Sequence, residues 1–225
     1  MKETMDEIML KYGTDKNSYC HNYVAKYLEY FEPLKDKELK ILEIGIYRPP
    51  TNDQVPGASL MTWYEYFPKA KIYGVDVQSF TDVENDRIKT IIANQELREK
   101  NEVVNGLKEI IDNFGGDFDI IIDDGGHTMA QQQVTLGYMF KYLKPGGLFV
   151  IEDLHTSNFA PWVYNPTNTQ ITTVNMLRNY LNNNHIESDF MFEEEKSYLN
   201  KTIETMDLHM AKESEIVFIR KKQND

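Results

Sequence analysis

The chain has 225 residues, with 24 Lys and Arg against 36 Asp and Glu, a formal net charge of −12. That length suits one α/β domain with a sizeable core. The acid excess, with no basic stripe, argues against a nucleic-acid partner, whose phosphates need the opposite sign. A single cysteine, Cys20, permits no intramolecular disulfide. The N-terminus MKETMDEIML is charged where a signal peptide needs an apolar core, and no apolar run approaches the ~20 residues of a membrane span. The expected location is therefore the cytoplasm, without membrane association.

In chain order, Asp6–Lys11 reads as a short helix ending in the turn Tyr12-Gly13-Thr14-Asp15-Lys16. Tyr23 to Phe31 reads as a second, with Tyr23, Tyr27, Tyr30 and Phe31 on one side, an aromatic stripe of the kind that usually packs in a core. Lys40 to Gly45, KILEIG, is the first buried strand. A strand entering a glycine turn opens many nucleoside sites, but a G-x-G-x-x-G fingerprint does not follow. Instead the chain runs Ile46-Tyr47-Arg48-Pro49-Pro50, which counts against a nicotinamide dehydrogenase. Ser59, Leu60, Trp63, Tyr64 and Phe67 mark a helix stopped at Pro68. Lys71–Asp76 is the second strand, its terminal Asp76 placed to accept from ribose hydroxyls. Ile88–Ala93 is a third, followed by two amides, Asn94 and Gln95, positioned to read a base edge. A charged helix over about Leu97 to Phe114 comes next.

Two acid-ended apolar runs organise the rest: FDIIIDD, ending in Asp123-Asp124, and FVIED, ending in Glu152-Asp153. Each reads as a strand buried on both faces of a parallel sheet. Leu136, Met139, Phe140 and Leu143 mark a helix between them, over Gln131–Leu143, stopped by Lys144-Pro145-Gly146-Gly147. The crossover puts both acid pairs at carboxyl strand ends, where open sheets bind ligands. Neighbouring strands lie ~5 Å apart, so Asp124, Glu152 and Asp153 can converge. Crowded carboxylates call for a cation, and an all-oxygen set favours Mg²⁺, Mn²⁺ or Ca²⁺. His127 faces the same crevice as a candidate base. Beyond it, Ser157–Thr169 carries Phe159, Trp162 and Tyr164 between prolines, a loop that reads as a lid or substrate wall. Ile171–Leu181 reads as a helix. Glu204–Met210 and Glu215–Arg220 form a hairpin on the sheet edge. His21, His155 and His185 have no nameable partner, though His155 is close to the acid pair.

The combination KYGTDK, LEIG, GASLMTWYEYFP, YGVDV, NQ, IIDDGGH and IEDLHTS resembles the class I S-adenosylmethionine-dependent methyltransferases, and within them the Mg²⁺-dependent sugar O-methyltransferases of macrolide biosynthesis. The resemblance runs from about Tyr12 to Ser157. It implies a doubly wound, mostly parallel seven-stranded sheet with a C-terminal antiparallel hairpin. The chain, 1–225, is then one domain, with 1–36 a helical extension closing over the cofactor. S-adenosylmethionine would meet Tyr12, Thr14, Glu43, Gly45, Ser59, Asp76, Asn94, Gln95 and Asp124. Asp124, Glu152 and Asp153 would hold the metal and His127 would act as base. His155, Trp162 and Tyr164 would face a sugar-type acceptor. The macrolide enzymes carry an additional N-terminal domain with no counterpart expected in this sequence, so neither their assembly nor their substrate is expected to transfer; a homo-oligomer stays open. Two other classes also stay open: a non-haem iron oxygenase using His127 and His155, and a catalytically silent nucleotide-binding protein.

Overall fold

Seven strands form one sheet in the order β3-β2-β1-β4-β5-β7-β6. They are β1 (Lys40–Ile44), β2 (Lys71–Asp76), β3 (Ile88–Ile92), β4 (Phe118–Asp123), β5 (Leu143–Ile151), β6 (Ile203–Met210) and β7 (Glu215–Lys221). The first five are parallel, and β7 pairs antiparallel with both β5 and β6. This is the methyltransferase Rossmann-like fold that the sequence implied. The computed structural model describes residues 3–46 and 55–224, so the expected glycine-poor stretch after β1 lies largely outside the described residues.

Alternation along each central strand splits the core in two. Ile41, Ile72, Ile120, Ile122, Val150 and Phe218 point to one face, and Leu42, Val75, Ile121, Phe149, Ile151 and Val217 to the other. All are essentially inaccessible, as a period-2 strand buried on both sides requires. Helices α1 (Met5–Tyr12), α2 (Val24–Phe31) and α3 (Ala58–Tyr66) cover the first face. Here Trp63 is fully buried against Tyr27, Phe31 and Phe67. Each such side chain contributes about 1.5–3 kcal/mol by leaving water. The N-terminal helices are thus a layer of the core, with Met5, Ile8, Met9, Tyr23, Tyr27 and Phe31 all buried.

The second face carries α4 (Lys108–Phe114), α5 (Met129–Met139), α7 (Thr173–Asn183) and α8 (Glu193–Thr202). A capping box between Thr128 and Gln131 starts α5, and a 3₁₀ turn over Phe140–Tyr142 ends it. Leu143 therefore opens β5 instead of closing the helix. Three further local expectations change, and one helix is added. The charged stretch from Leu97 is helical only from Lys108. Before that, Asn101 accepts the N–H groups of Val103 and Val104, and Leu107 donates to the Leu97 carbonyl, so the chain closes a loop. Lys144-Pro145-Gly146-Gly147 lies within β5, where Gly146 takes φ +76°. The proline-broken loop contains a one-turn helix, α6 (Pro161–Tyr164), which Pro161 opens at the position where its missing N–H costs nothing. Helix α8 gives little periodic signal, since only Leu199 and Thr202 are buried; three glutamates in its first turn and Lys201 in its last favour it electrostatically. Among the described residues, no helix is long and apolar enough to cross a membrane.

Candidate active site

The chain reverses its winding between β1 and β4, and a cleft of about 300 Å³ opens at the carboxyl ends of the strands there. Ile44, Gly45, Asp76, Asn94, Gln95, Asp124, His127 and Asp153 are among its lining residues. Gly45 takes φ +90°, and a Cβ there would stand 2.0 Å from the Asp124 carbonyl oxygen. Only glycine lets the β1 turn pass so close to the end of β4.

The acid pairs converge as strand adjacency requires. Asp124, His127 and Asp153 each offer a ligand atom, all within 4.8 Å of one another. His127 Nε2 lies 3.5 Å from Asp153 Oδ2 and 4.0 Å from Asp124 Oδ1. Asp153 and His127 both have positive φ, +54° and +58°. Strained non-glycine backbone of this kind concentrates at functional sites. Glu152 turns the other way. Its carboxylate accepts from Tyr27 and stands 3.1 Å from the Lys16 ammonium. Lys16 is 1% exposed; it also bonds Asp124 and lies 3.9 Å from Glu43.

Lys16 thus supplies an internal cation that pattern-reading placed in a loop. The loop folds back on itself, since the Lys16 carbonyl accepts the Tyr23 N–H and the Asp15 carbonyl the His21 N–H. It thereby delivers three side chains to the carboxylates. Tyr23 donates to Asp153 Oδ1 at 2.8 Å, and His21 Nδ1 is 3.1 Å from the same oxygen. The tyrosine rings are core, as their spacing indicated, but the hydroxyls of Tyr23 and Tyr27 reach the acids. The signal for this role in the sequence is the choice of tyrosine over phenylalanine at positions 23 and 27.

Electrostatics match a cation site. Burial pushes the carboxyls of Asp124 and Glu152 up, and the Asp124 charge raises Glu152 further, while Lys16 draws both back only in part. Burial also opposes ionisation of Asp153, but the His21 hydrogen bond and the charges of His127 and His21 outweigh it and hold this carboxyl below the usual range. Lys16 is raised well above its ordinary value despite burial, because Asp124, Glu152, Asp15 and Glu43 surround it. A pocket with more carboxylates than fixed cations fits a divalent ion, and Asp124 and Asp153 present free oxygens to it.

Other anticipated contacts distribute unevenly. Asp76 accepts from the Ile46 and Gln78 N–H groups and still has lone pairs facing the cleft. Gln95 lines the cleft, but its amide donates to Asp123 and Thr135 and accepts from Gly126, so its polar atoms are spent internally. Asn94 lines the cleft, and its side-chain oxygen accepts from Glu96 N. Glu43 is wholly buried, bonded to Trp63 and Ser59, and is pushed up to about 7 by burial. Thr14 is buried, its carbonyl accepting from Asn17. Tyr12 instead donates to Glu65 on α3 and is not among the cleft-lining residues. Next to Asp153, His155 Nδ1 pairs with Ser214 Oγ at 2.6 Å and is 3.9 Å from the Asp153 carboxylate. Phe159, Tyr164 and the 80%-exposed Trp162 lie beyond it.

No family model matches the sequence. The chain is 34% identical over 158 residues to a mycinamicin VI 2''-O-methyltransferase of Micromonospora griseorubida, covering 69% of this chain and 37% of that one. It is 35% identical over 152 residues to an 8-demethyl-8-alpha-L-rhamnosyl tetracenomycin-C 2'-O-methyltransferase of Streptomyces olivaceus, covering 67% and 37%. Among solved structures, the MycE methyltransferase from the mycinamycin biosynthetic pathway in complex with Mg, SAH and mycinamycin VI superposes with a TM-score of 0.79 at 26% identity, over 100% of this chain and 56% of that one. The chain therefore spans well under half the length of these two curated relatives.

Proposed function

Because this chain is a homologue of the macrolide and polyketide sugar O-methyltransferases over about two thirds of its length, we propose that it is a metal-dependent, S-adenosylmethionine-dependent O-methyltransferase acting on a hydroxyl of a sugar-containing small molecule. The observation that carries this reading is the convergence of Asp124, His127 and Asp153 beside the Gly45–Asp76 cleft. Asp124 and Asp153 would hold a divalent cation, while Glu152, the third acid the sequence assigned to it, is paired with Lys16 and Tyr27 behind them. Such a cation, when bound, supplies positive charge that makes a neighbouring alcohol easier to ionise.

Everything else falls to the chain. The methyl donor carries its own reactive group, so the protein's task is orientation and electrostatics. Asp76 accepts from the ribose, Asn94 borders the adenine end, and Gly45 lets the donor approach the backbone. His127 takes the acceptor proton at Nε2, and Asp153 Oδ2, 3.5 Å away, stabilises the imidazolium that results. Asp15, which lines the cleft, brings the N-terminal segment to the cofactor side. His155, Trp162 and Tyr164 present the acceptor wall, where an exposed indole face suits a sugar ring. A cytoplasmic small-molecule enzyme without a nucleic-acid partner accords with the −12 charge.

The iron-oxygenase reading loses ground, because the metal-capable group among the described residues contains one histidine where a facial triad needs two. The test is transfer of a labelled methyl group from S-adenosylmethionine to a panel of glycosides and nucleotide sugars. Transfer that EDTA abolishes and Mg²⁺ restores is expected. Transfer indifferent to EDTA would remove the metal from the reaction, and aerobic turnover without any methyl donor would overturn the assignment.

A further inference from the structure

Asp153 stands two residues past the end of β5 with φ +54°, a left-handed backbone that side chains disfavour and that surrounding contacts must hold in place. One hydroxyl grips it twice. Tyr23 Oη donates to Asp153 Oδ1 at 2.8 Å and accepts the Asp153 backbone N–H at 3.2 Å. A single group thus fixes both the carboxylate and the peptide that carries it. Ser214 Oγ donates to the same Oδ1 at 3.2 Å, and His21 Nδ1 lies 3.1 Å from it. With Oδ1 engaged on one side, Oδ2 is the oxygen turned toward His127. The Tyr23 ring is fully buried in the core formed by the N-terminal helices, so neither hydrogen bond exchanges freely with solvent.

We propose that Tyr23 is a positioning residue for the metal centre: its hydroxyl locks the strained Asp153 so that Oδ2 stays directed at the point where Asp124 and His127 converge. This rests on the metal-dependent reading above. Partners that orient a ligating carboxylate in this way typically govern metal affinity by 10–100-fold. The N-terminal segment, 130 residues away in sequence, is then part of the metal site without touching the metal.

Tyr23→Phe keeps the ring and removes only the hydroxyl. Tyr66→Phe is the control. Tyr66 is equally buried and its hydroxyl also bonds a carboxylate, that of Glu32, but neither residue lines the cleft. Mn²⁺ binding is measured by the paramagnetic resonance signal of the free ion, alongside calorimetric titration of S-adenosylhomocysteine and thermal unfolding of each protein. The expected result is Mn²⁺ affinity weakened about 10–100-fold in Tyr23→Phe, with S-adenosylhomocysteine affinity unchanged and Tyr66→Phe binding both as wild type does. Wild-type Mn²⁺ affinity in Tyr23→Phe overturns the proposal, as does an equal loss in Tyr66→Phe, which would mark a general loss of stability. If Tyr23→Phe does not fold, Ser214→Ala takes its place, since it removes another donor to the same oxygen; a smaller loss of Mn²⁺ affinity is expected and unchanged affinity overturns the proposal. Failure of the wild-type protein itself to bind Mn²⁺ overturns the metal-dependent reading, and this inference with it.

Discussion

The Lys16 ammonium lies 3.1 Å from the Glu152 carboxylate, and each side chain is only 1% exposed. Buried ions are costly to remove from water, and removing one partner leaves the other uncompensated. Lys16→Met should therefore destabilise the metal-free protein by about 3–5 kcal/mol, and added Mg²⁺ should recover part of that loss by binding the native state. Denaturant unfolding with and without Mg²⁺ measures both. A variant as stable as wild type in EDTA would show that Lys16 does not balance these acids.

His127 has the reach expected of a base, with Nε2 facing Asp124 and Asp153 across the cleft. His127→Ala should lower kcat by about 10²-fold or more while leaving S-adenosylhomocysteine affinity nearly intact. Retention of most of the kcat would take His127 out of the proton-transfer role.

Glu43 provides a pH signature. Its carboxyl is raised from the ordinary 4.5 to about 7, chiefly by burial. A folded pKa above the unfolded one means that the native state holds a proton the unfolded state has released. This contribution to stability is complete below pH 4.5 and is lost as the pH rises through 7. Glu43→Gln is neutral throughout, so the variant's stability relative to wild type should improve by about 1–3 kcal/mol between pH 5 and pH 8. Parallel pH–stability curves for the two proteins would show that Glu43 ionises normally.

Trp162 is 80% exposed on the one-turn helix α6, beyond His155 and Phe159. Loss of its face in Trp162→Ala should cost roughly 1 kcal/mol of acceptor binding, about fivefold in acceptor KM. Cofactor affinity and stability should not change. An unaltered acceptor KM would place the sugar elsewhere.

The parts of this site legible in sequence are those encoded locally. Ile120-Ile121-Ile122 followed by two aspartates marks a buried parallel strand and its polar mouth, because both signals lie in adjacent residues. Gly45 is legible for the same reason. Lys16 and Tyr23 were not, since their partners lie 108 and 130 positions away and only the packing of the N-terminal segment on the sheet brings them together. Burial of the Tyr23–Phe31 stripe follows from helical spacing, but the direction of a hydroxyl at the end of a buried ring does not. The charged Leu97–Leu107 stretch carries helix-favouring residues, yet the Asn101 turn and the close approach of Gly106 to the Leu97 and Glu99 carbonyls decide its path. In α8 a mostly solvated face left almost no apolar period to read.

The most direct measurement is calorimetric titration of S-adenosylhomocysteine into the wild-type protein and into Asp76→Ala, each with Mg²⁺ and with EDTA. A bound nucleoside whose ribose rests on Asp76 predicts micromolar affinity in the wild type and about tenfold or greater weakening in the variant, the cost of losing a hydrogen bond to a charged group. Absence of any binding to the wild-type protein under both conditions would contradict the methyltransferase account.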